Sequence, residues 1–468
     1  MIFESLITLA GVGAFSDNAG YNTTVLHPLG AAMMLTAGVA IVVLPRARVF
    51  LPLFLLLSLT PEIQRITVAS LDFRFLRLML CFAWFRLLVR GELRSLKYCA
   101  IDYMIVGWSI SRSIATTVNY DGTSGLIYSL GQSFDALGTY FLFRMVIKDR
   151  EDIVRVLRDA MIVSLVVALF FLQEKQTGIN IFGQTFGGVR GTTVIRDGRL
   201  RIQGAYAHPI IAGCLWAVMF PQFCAIFLRA RESKALPAIG ILCTLIIIYC
   251  CASSTPVMAL MFGFVGAAMF QLRSLMRVVR WGIPIGLLFL HMVMSAPVWH
   301  LISRIDVVGG STGWHRYILI EMFVQHFNEW WLHGVRSTAH WNGIIDITNQ
   351  YVLEGVFGGL MTLILFVFMI GFAFQSIGRA MRATPNDRWQ QLFCWSLGVG
   401  MFMHVMNFLA VSYFGQVMLI WYLQLALIAS IAQVPTNARQ PVGPQPAQPQ
   451  QPRTSRRPVV RGAPEIYA

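Results

Sequence analysis

The sequence predicts an all-α polytopic membrane protein, and two observations lead to this class. Its 468 residues are 56% hydrophobic and 13% charged, with a mean hydropathy of +0.63, whereas soluble domains carry about 25% charged residues. Apolar runs long enough to cross a bilayer, or nearly so, recur along the chain, and a crossing helix needs about 20 residues. We therefore expect about 12–14 transmembrane helices in one membrane domain, residues 1–433.

The apolar runs follow one another from residue 28 to residue 433. The second run is short for a full crossing, so we expect it to be tilted with its neighbours or only partly inserted. The runs are residues 28–45, 50–61, 68–89, 99–117, 125–147, 153–172, 206–229, 236–250, 256–273, 281–298, 348–376, 391–411 and 414–433.

Basic residues set the expected orientation, because lysine and arginine accumulate in short cytoplasmic loops. If the N-terminus lies outside and the spans alternate, every short basic loop falls on the cytoplasmic side. The sequence therefore predicts an N-out, C-in topology. The cytoplasmic loops carry Arg46, Arg48, Arg86, Arg90, Arg94, Lys97, Lys148, Arg150, Arg155, Arg158, Arg229, Arg231, Lys234, Arg273, Arg277, Arg280, Arg379, Arg382 and Arg388.

The composition changes after Val434, where the chain reads PVGPQPAQPQQPRTSRRP. A segment so rich in proline, glutamine and arginine cannot bury enough apolar surface to fold. We expect residues 434–468 to be a disordered cytoplasmic tail whose arginines stay near anionic lipid.

Two outer segments are too long to be mere connections, namely residues 173–205 and 299–347. Long ordered loops usually carry function. These two loops also hold most of the arginines that break the positive-inside pattern, which marks them as the functional part of the chain. The exceptions are Arg190, Arg196, Arg199, Arg201, Arg304, Arg316 and Arg336.

Within the first loop, TTVIRDGRLRIQ predicts a β-hairpin closed by Asp197-Gly198, a favoured type I′ pair. Period-2 alternation then places Arg196, Arg199 and Arg201 on one face. The other face carries Ile195, Leu200 and Ile202. The arginine face is either a solvated surface that touches lipid head groups or an anion-binding surface, since guanidinium forks match phosphate oxygens.

The second loop opens with the flexible turn GGSTGW and continues as WHRYILIEMFVQHFNEWWL. Tryptophan at both ends of this run is typical of a helix that lies at the membrane–water interface. Histidines crowd the same region. Each could be an interfacial side chain without a chemical task, or part of a reaction site. The histidines are His300, His315, His326, His333 and His340.

Charged residues inside apolar runs are costly, at about 2.5–3.5 kcal/mol each near the bilayer centre. Asp135 and Arg77 lie about ten and nine residues below the outer ends of their runs, hence at similar depth at about 1.5 Å per residue. We expect these two side chains to neutralise each other. Arg112 lies closer to an outer end and is expected to snorkel to the surface.

The order of several short motifs resembles the O-antigen ligase and O-antigen polymerase superfamily of bacterial inner-membrane glycosyltransferases. The likeness covers about residues 185–375, and more loosely the whole chain. The motifs are Arg201-Ile-Gln-Gly-Ala-Tyr-Ala-His208-Pro209, Ala252-Ser-Ser-Thr-Pro256, Ser311-Thr-Gly-Trp-His-Arg316, His333-Gly-Val-Arg336 and Asp346-Ile-Thr-Asn349-Gln-Tyr351 with Gly355, Gly358 and Gly359.

This resemblance implies a metal-independent enzyme, without a cofactor, that works at the periplasmic face. It would transfer a glycan from an undecaprenyl-diphosphate carrier, and its two long loops would be periplasmic. Arginines of both loops would bind the diphosphate: Arg199, Arg201, Arg316 and Arg336. His208 and Asn349 would contact substrate. A general base is needed for the acceptor hydroxyl, and His340 or Asp346 at the end of the large loop are best placed.

Two departures from the ligase pattern, Thr348-Asn349 and Gly334-Val-Arg336, favour a polymerase of O-antigen, capsule or exopolysaccharide. A ligase that transfers glycan to lipid A core or protein is the alternative. A transporter or flippase of a lipid-linked anion is a second alternative. The expected partners are the lipid-linked glycan, a glycan or lipid acceptor, the bilayer, and proteins of chain-length control or export, with no nucleic acid.

Overall fold

The structure is a computed structural model that describes residues 23–68, 71–120, 122–229, 233–304 and 313–433. The chain divides into Met1–Val434 and a separate segment, Pro435–Ala468. The predicted tail, residues 434–468, lies outside the described residues, as do the first residues of the GGSTGW turn. The chain is mostly helical, at 74%, as the composition predicts.

Helices occupy each of the predicted apolar runs. In chain order the first seven are α1 (Pro28–Val43), α2 (Phe50–Leu59), α3 (Phe75–Val89), α4 (Ala100–Asn119), α5 (Thr123–Val146), α6 (Arg150–Thr177) and α7 (Ile181–Phe186). They are followed by α8 (Pro209–Ala217), α9 (Phe220–Arg229), α10 (Ala235–Cys251), α11 (Ser254–Ala268) and α12 (Met276–Val293). The last five are α13 (Gly313–Gln325), α14 (Phe327–Trp330), α15 (Gln350–Ala383), α16 (Arg388–Phe408) and α17 (Gln416–Ile431).

Within the part of the chain that the structure describes, three helical segments are long and apolar enough to cross a membrane: Pro209–Arg229, Ser254–Val293 and Gln350–Ala383. Shorter apolar helices cover Pro28–Val43, Ala235–Cys251 and Gln416–Ile431. These helices are compatible with contact with a lipid bilayer.

Two antiparallel β-hairpins interrupt the helices. The predicted hairpin is confirmed: β3 (Val194–Arg196) pairs with β4 (Arg199–Arg201) across the Asp197-Gly198 turn. The other was not predicted, and consists of β1 (Arg65–Val68) and β2 (Leu71–Arg74). Because this hairpin uses residues counted as membrane span, the predicted start of the run 68–89 is wrong.

The core is built around α17, which is buried along almost its whole length. A helix that is apolar on all sides is buried on all sides, and this one contacts α5, α8, α15 and α16. A smaller apolar cluster lies beneath the second long loop, where Leu319, Trp330, Trp341 and Ile347 are buried. The second loop is therefore a packed structure rather than a free connection.

Contacts between turns define two ends of the helical bundle. At one end, here called the loop end, Asn119 Nδ2 at the end of α4 donates to the His333 carbonyl of the second long loop at 2.6 Å. At the opposite end, here called the basic end, Arg46 Nη1 after α1 donates to the Val146 carbonyl of α5 at 3.2 Å.

The predicted pair of Arg77 and Asp135 is confirmed. Arg77 Nε and Nη2 donate to the two carboxylate oxygens of Asp135 at 2.8 and 2.9 Å. The depth counted for Arg77 is wrong, since it lies in the first turn of α3. The pair forms because α5 extends beyond the start of the shorter α3, so the middle of α5 lies beside the first turn of α3.

The expected snorkelling of Arg112 is wrong. Its Nη1 donates to Glu354 Oε2 at 2.8 Å. Trp108 Nε1 donates to the same oxygen at 2.9 Å, and Gln350 Nε2 donates to Oε1 at 2.6 Å. Glu354 is only 1% exposed, so a buried carboxylate in α15 holds this arginine inside the bundle.

Candidate functional site

The β3–β4 hairpin carries the first predicted anion-binding arginines. Its register pairs Arg196 with Arg199 and Val194 with Arg201, so all three arginines share one face, as predicted. Their environments differ, because Arg199 is exposed and Arg201 is only 9% exposed. The hairpin therefore leads from solvent into the protein, with Arg201 at its inner end.

The opposite face of the hairpin packs less than expected. Leu200 is half-buried, while Ile195 remains 67% exposed. Only Ile202, just beyond the hairpin, is fully buried. Its backbone N–H donates to the Cys250 carbonyl at 3.1 Å, and this hydrogen bond fixes the strand end against the end of α10.

Arg316 belongs to the second loop and lies close to the connection between α10 and α11. It lies in the first turns of α13, and its Nη2 is 3.5 Å from Thr255 Oγ1 at the start of α11. Cys250 and Thr255 flank the short α10–α11 connection, so Arg201 and Arg316 approach that connection from two different loops. Both loops therefore reach this turn, and a shared role of the two arginines in diphosphate binding stays a prediction.

The α10–α11 connection has little room for side chains. Ala252 adopts a left-handed conformation with φ of 43°, which ends α10 sharply. A Cβ on Gly213 of α8 would lie 2.4 Å from Pro256 Cγ, so glycine allows α8 to pack directly beneath the turn. The N-terminus of α11, with no side-chain cap, adds the positive end of a helix dipole.

Several enclosed polar atoms near this turn have no hydrogen-bond partner among the described residues. Such groups are rare in native proteins and call for a partner such as a ligand or an ordered water. Gln416 lies near Arg201 and Gln203, because its Nε2 donates to the Ala205 carbonyl at 3.3 Å. The unpartnered atoms are Arg201 Nε, Gln203 Nε2, Arg316 Nε, Thr348 Oγ1 and Gln416 Oε1.

The electrostatics of the site favour an anion. Burial lowers the pKa of Arg201, and the charge of Arg196 lowers it further. Burial also lowers the pKa of Arg316. Arginine nevertheless stays protonated in proteins, so both side chains keep charges that burial disfavours. A bound anion would relieve this cost.

His208 adds a neutral hydrogen-bond donor. Its Nδ1 accepts the backbone N–H of Ile210 at 3.1 Å and so caps α8. Burial and the charges of Arg201, Arg196 and Arg190 lower the pKa of His208 to about 4. The ring is therefore neutral near pH 7, and because Nδ1 accepts, its proton lies on Nε2.

The two candidate bases lie at different distances from the arginines. His315 Nε2 is 3.0 Å from the Asp346 carbonyl oxygen, so Asp346 lies beside the first turn of α13, the helix that also carries Arg316. His340 instead contacts the far end of the helix, with its ring 6.1 Å from that of His326. At about 1.5 Å per residue, ten residues of helix separate Arg316 from His326 by about 15 Å.

Asp346 also has the chemistry of a base. The residue is exposed, but surrounding atoms desolvate its carboxyl enough to raise its pKa, an effect that the charge of His315 opposes. A carboxylate with a raised pKa accepts a proton more readily at neutral pH. Of the two predicted bases, Asp346 is the one that the fold brings to the start of α13.

His340 forms a separate carboxylate–histidine pair. Its Nε2 is 2.7 Å from Glu329 Oε2, and Trp341 Nε1 donates to the same oxygen at 2.9 Å. These hydrogen bonds lower the pKa of Glu329. Sequence reasoning did not single out Glu329, although its position in the histidine-rich run was visible.

The remaining predicted residues have contacts within the protein. Arg336 lies over the Tyr120 ring, 5.3 Å from its centroid. Asn349 caps α15, accepting from the backbone N–H groups of Tyr351 and Val352 at 2.9 and 3.2 Å. These contacts hold the second loop on the bundle, and they leave the substrate roles predicted for Arg336 and Asn349 as predictions.

A kink in α15 fixes the second loop. At Gly359, φ is 76° and the helix breaks. The Leu360 N–H donates instead to the Trp331 carbonyl at 2.8 Å, and the Val356 carbonyl accepts the Val335 N–H at 2.6 Å. The loop thus replaces the helical hydrogen bond that the kink removes. In the sequence, the Gly358-Gly359 pair marks the position of this kink.

Comparison with protein-family models finds no family that matches, and comparison with curated proteins finds no match either. The functional argument therefore depends on the geometry of the residues.

Proposed function

We propose that this chain is a membrane-embedded glycosyltransferase that polymerises glycan repeat units carried on undecaprenyl diphosphate. The observation that supports this proposal is the pair Arg201 and Arg316, two enclosed guanidinium groups with unpartnered Nε atoms at the α10–α11 turn. Guanidinium groups bind phosphate oxygens with a planar fork. The diphosphate of the carrier is the anion proposed for this site.

In the proposed reaction, an acceptor hydroxyl oxygen attacks C1 of the donor sugar. The bond from C1 to the diphosphate oxygen breaks, and its electron pair remains on the diphosphate. Arg201 and Arg316 stabilise the charge that develops there. Asp346 takes the hydroxyl proton, since it is the base candidate beside the first turn of α13.

The proposed membrane arrangement has about thirteen crossings, N-out and C-in, with residues 173–205 and 299–347 in the periplasm of a bacterial inner membrane. The alternation of helices between the loop end and the basic end supports it. Reporter fusions that function only outside the cytoplasm are expected to be active after residues 185 and 310 and silent after residue 235. Any other pattern contradicts this orientation.

The proposed chemistry is tested by chain extension with purified protein in liposomes, using lipid-linked repeat units extracted from the host cells. Arg316→Ala is expected to reduce the rate by about 10²–10³-fold, the typical effect of losing one preorganised donor to a developing anion. Arg316→Lys keeps the charge and loses the fork, so it should retain part of the rate. The exposed Arg273 of the basic end provides the control, Arg273→Ala, with wild-type activity expected.

Two further measurements test the metal-free mechanism and distinguish a polymerase from a ligase. Activity is expected to persist in the presence of a chelator, because the proposed mechanism uses no metal. A ladder of products that grows by one repeat unit indicates a polymerase, whereas transfer of a single glycan to lipid A core indicates a ligase. Full activity of Arg316→Ala would remove the diphosphate role.

A further inference from the structure

A second group of charges lies at the loop end, beside α17 and outside the arginine site. Glu62 is half-buried in the turn between α2 and β1. A Cβ built on Gly415 would lie 3.0 Å from Glu62 Oε1, and Gly415 has φ of 70°. Glycine at this position therefore lets the carboxylate lie directly against the start of α17.

Arg74 faces this carboxylate from the end of β2. Desolvation lowers the pKa of Arg74, and the charges of Glu62 and Asp135 together raise it above its usual value. The side chain is nevertheless exposed to solvent. Arg74 is therefore open to solvent while its charge still acts on Glu62.

Glu62 and Arg74 attract each other, yet among the residues that the structure describes no direct ion pair joins them. The adjacent Arg77 and Asp135, by contrast, form a bidentate pair at 2.8 and 2.9 Å. Glu62 and Arg74 therefore keep charged groups that a ligand can bind.

Two amide side chains lie between Glu62 and the arginine site. Gln416 follows Gly415 in the chain. Its Nε2 donates to the carbonyl of Ala205, which lies four residues after Arg201. Gln416 is 6% exposed and Gln203 5% exposed. Gln416 Oε1 and Gln203 Nε2 have no partner among the described residues, so one acceptor and one donor lie between the two sites.

We propose that Glu62, Arg74, Gln203 and Gln416 form the acceptor subsite and bind hydroxyl groups of a saccharide. This inference rests on the proposed function. A hydroxyl both donates and accepts, so it matches a set that contains a carboxylate, a guanidinium and two amides. A second phosphate does not match, because the Glu62 carboxylate repels it. Tyr128, which lies near Arg74, offers an aromatic ring beside these charges.

The test separates the two substrates kinetically. The donor is the extracted lipid-linked repeat unit, and the acceptor is the same repeat unit released from its carrier by mild acid. Glu62→Gln is expected to raise the KM for the acceptor about tenfold or more, the usual effect of losing a charged hydrogen-bond partner. The KM for the donor should change less than about twofold. Arg316→Lys should show the reverse pattern.

Arg74→Gln provides a second variant whose folding is not at risk, because its side chain is exposed, and the same increase in acceptor KM is expected. Glu151→Gln, at the exposed Arg229–Glu151 pair of the basic end, is the matched control and should leave both KM values unchanged. Saturation-transfer NMR with the released repeat unit gives a readout without catalysis. Wild-type protein and Arg201→Met should bind it, and Glu62→Gln should not.

Failure of this inference is distinct from failure of the proposed function. If Glu62→Gln and Arg74→Gln keep the wild-type acceptor KM while Arg316→Ala is inactive, the acceptor subsite is wrong and glycan transfer stands. If wild-type protein transfers no glycan, both proposals are wrong.

Discussion

At the basic end of the bundle, Arg144 is 1% exposed and donates to both oxygens of Asp102 at 3.1 and 3.3 Å, and to the Lys97 carbonyl at 3.0 Å. At the loop end, the enclosed Nε atoms of Arg201 and Arg316 have no partner among the described residues. Both ends bury guanidinium groups, and the contrast lies between Arg144, whose Nε, Nη1 and Nη2 all have acceptors, and Arg201 and Arg316, whose Nε atoms have none.

Another arginine of the basic end, Arg86, donates to backbone carbonyls at the end of a helix. Arg86 donates to the carbonyls of Ile41 and Leu44 at the end of α1, and its Nε and Nη2 donate to Glu92 at 3.0 and 2.8 Å. A basic side chain near a helix C-terminus satisfies carbonyls that the helix leaves free. Arg86 and Arg144 are therefore structural, whereas Arg201 and Arg316 keep donors for a ligand. The difference between the two ends is open to four tests.

The largest effect on stability is expected from Arg144→Met. The change leaves the Asp102 carboxylate buried without its cation, a loss of about 3–5 kcal/mol in the free energy of unfolding. Denaturant unfolding in detergent measures it, with the exposed Arg273→Met as control. A stability equal to wild type would mean that the basic-end arginines are not structural.

A smaller loss is expected from Arg77→Met. Its partner Asp135 is 26% exposed and Arg77 is 19% exposed, so solvent screens the pair, and we expect about 1–2 kcal/mol rather than the full cost of a buried charge. Exchanging the residues, as Arg77→Asp with Asp135→Arg, should recover part of the loss. If the exchange is as unstable as the single change, the interaction is not a simple pair.

Protonation of His208 gives a pH-dependent effect. In the unfolded chain histidine titrates near pH 6.5, and burial beside Arg201 lowers the pKa of His208 to about 4 in the folded protein. Between these values the unfolded state binds more protons, so stability falls as pH decreases from about 6.5 to about 4.

His208→Asn keeps a good helix-capping residue and should remove that part of the pH dependence, measured as unfolding midpoints across the window. His27→Asn changes the equivalent cap of α1 and controls for capping itself. An unchanged pH profile in His208→Asn would show that the ring does not titrate in this environment.

The smallest change in stability is expected from Arg201→Met. Removing an incompletely partnered buried cation should leave the free energy of unfolding unchanged or raise it by about 1 kcal/mol, while glycan transfer falls. Unfolding and chain extension are measured on the same preparation. A loss of stability as large as that of Arg144→Met would make Arg201 structural and remove the contrast between the two ends.

Local patterns predicted some features correctly. The Asp197-Gly198 pair specified a turn with positive φ at both residues, so the β3–β4 hairpin and its shared arginine face followed. The hairpin of β1 and β2 was missed, because RITV and LDFR merge with the apolar run of α3 when hydropathy alone is considered. Short apolar strands and buried helical segments cannot be told apart by hydrophobicity.

Charges inside the bundle were predicted only in part. Arg77 and Asp135 stood out as isolated charges in apolar runs, and each needed a partner. Arg112 also needed one, but Glu354 lies 242 residues further along the chain, beyond the reach of any local pattern. The packing of α4 on α15 decided that contact.

The sequence by itself determined the helical class, the position of the apolar runs and the hairpin, because hydrophobicity and turn chemistry act over a few residues. Only the tertiary structure decided that Arg201 and Arg316 both approach the α10–α11 turn, and that Asp346 rather than His340 lies beside the start of α13. Arg201 and Arg316 are more than a hundred residues apart in the chain, and such separations are closed by helix packing. Burial then leaves their donors without partners, and an unsatisfied buried donor is a property of the folded chain alone.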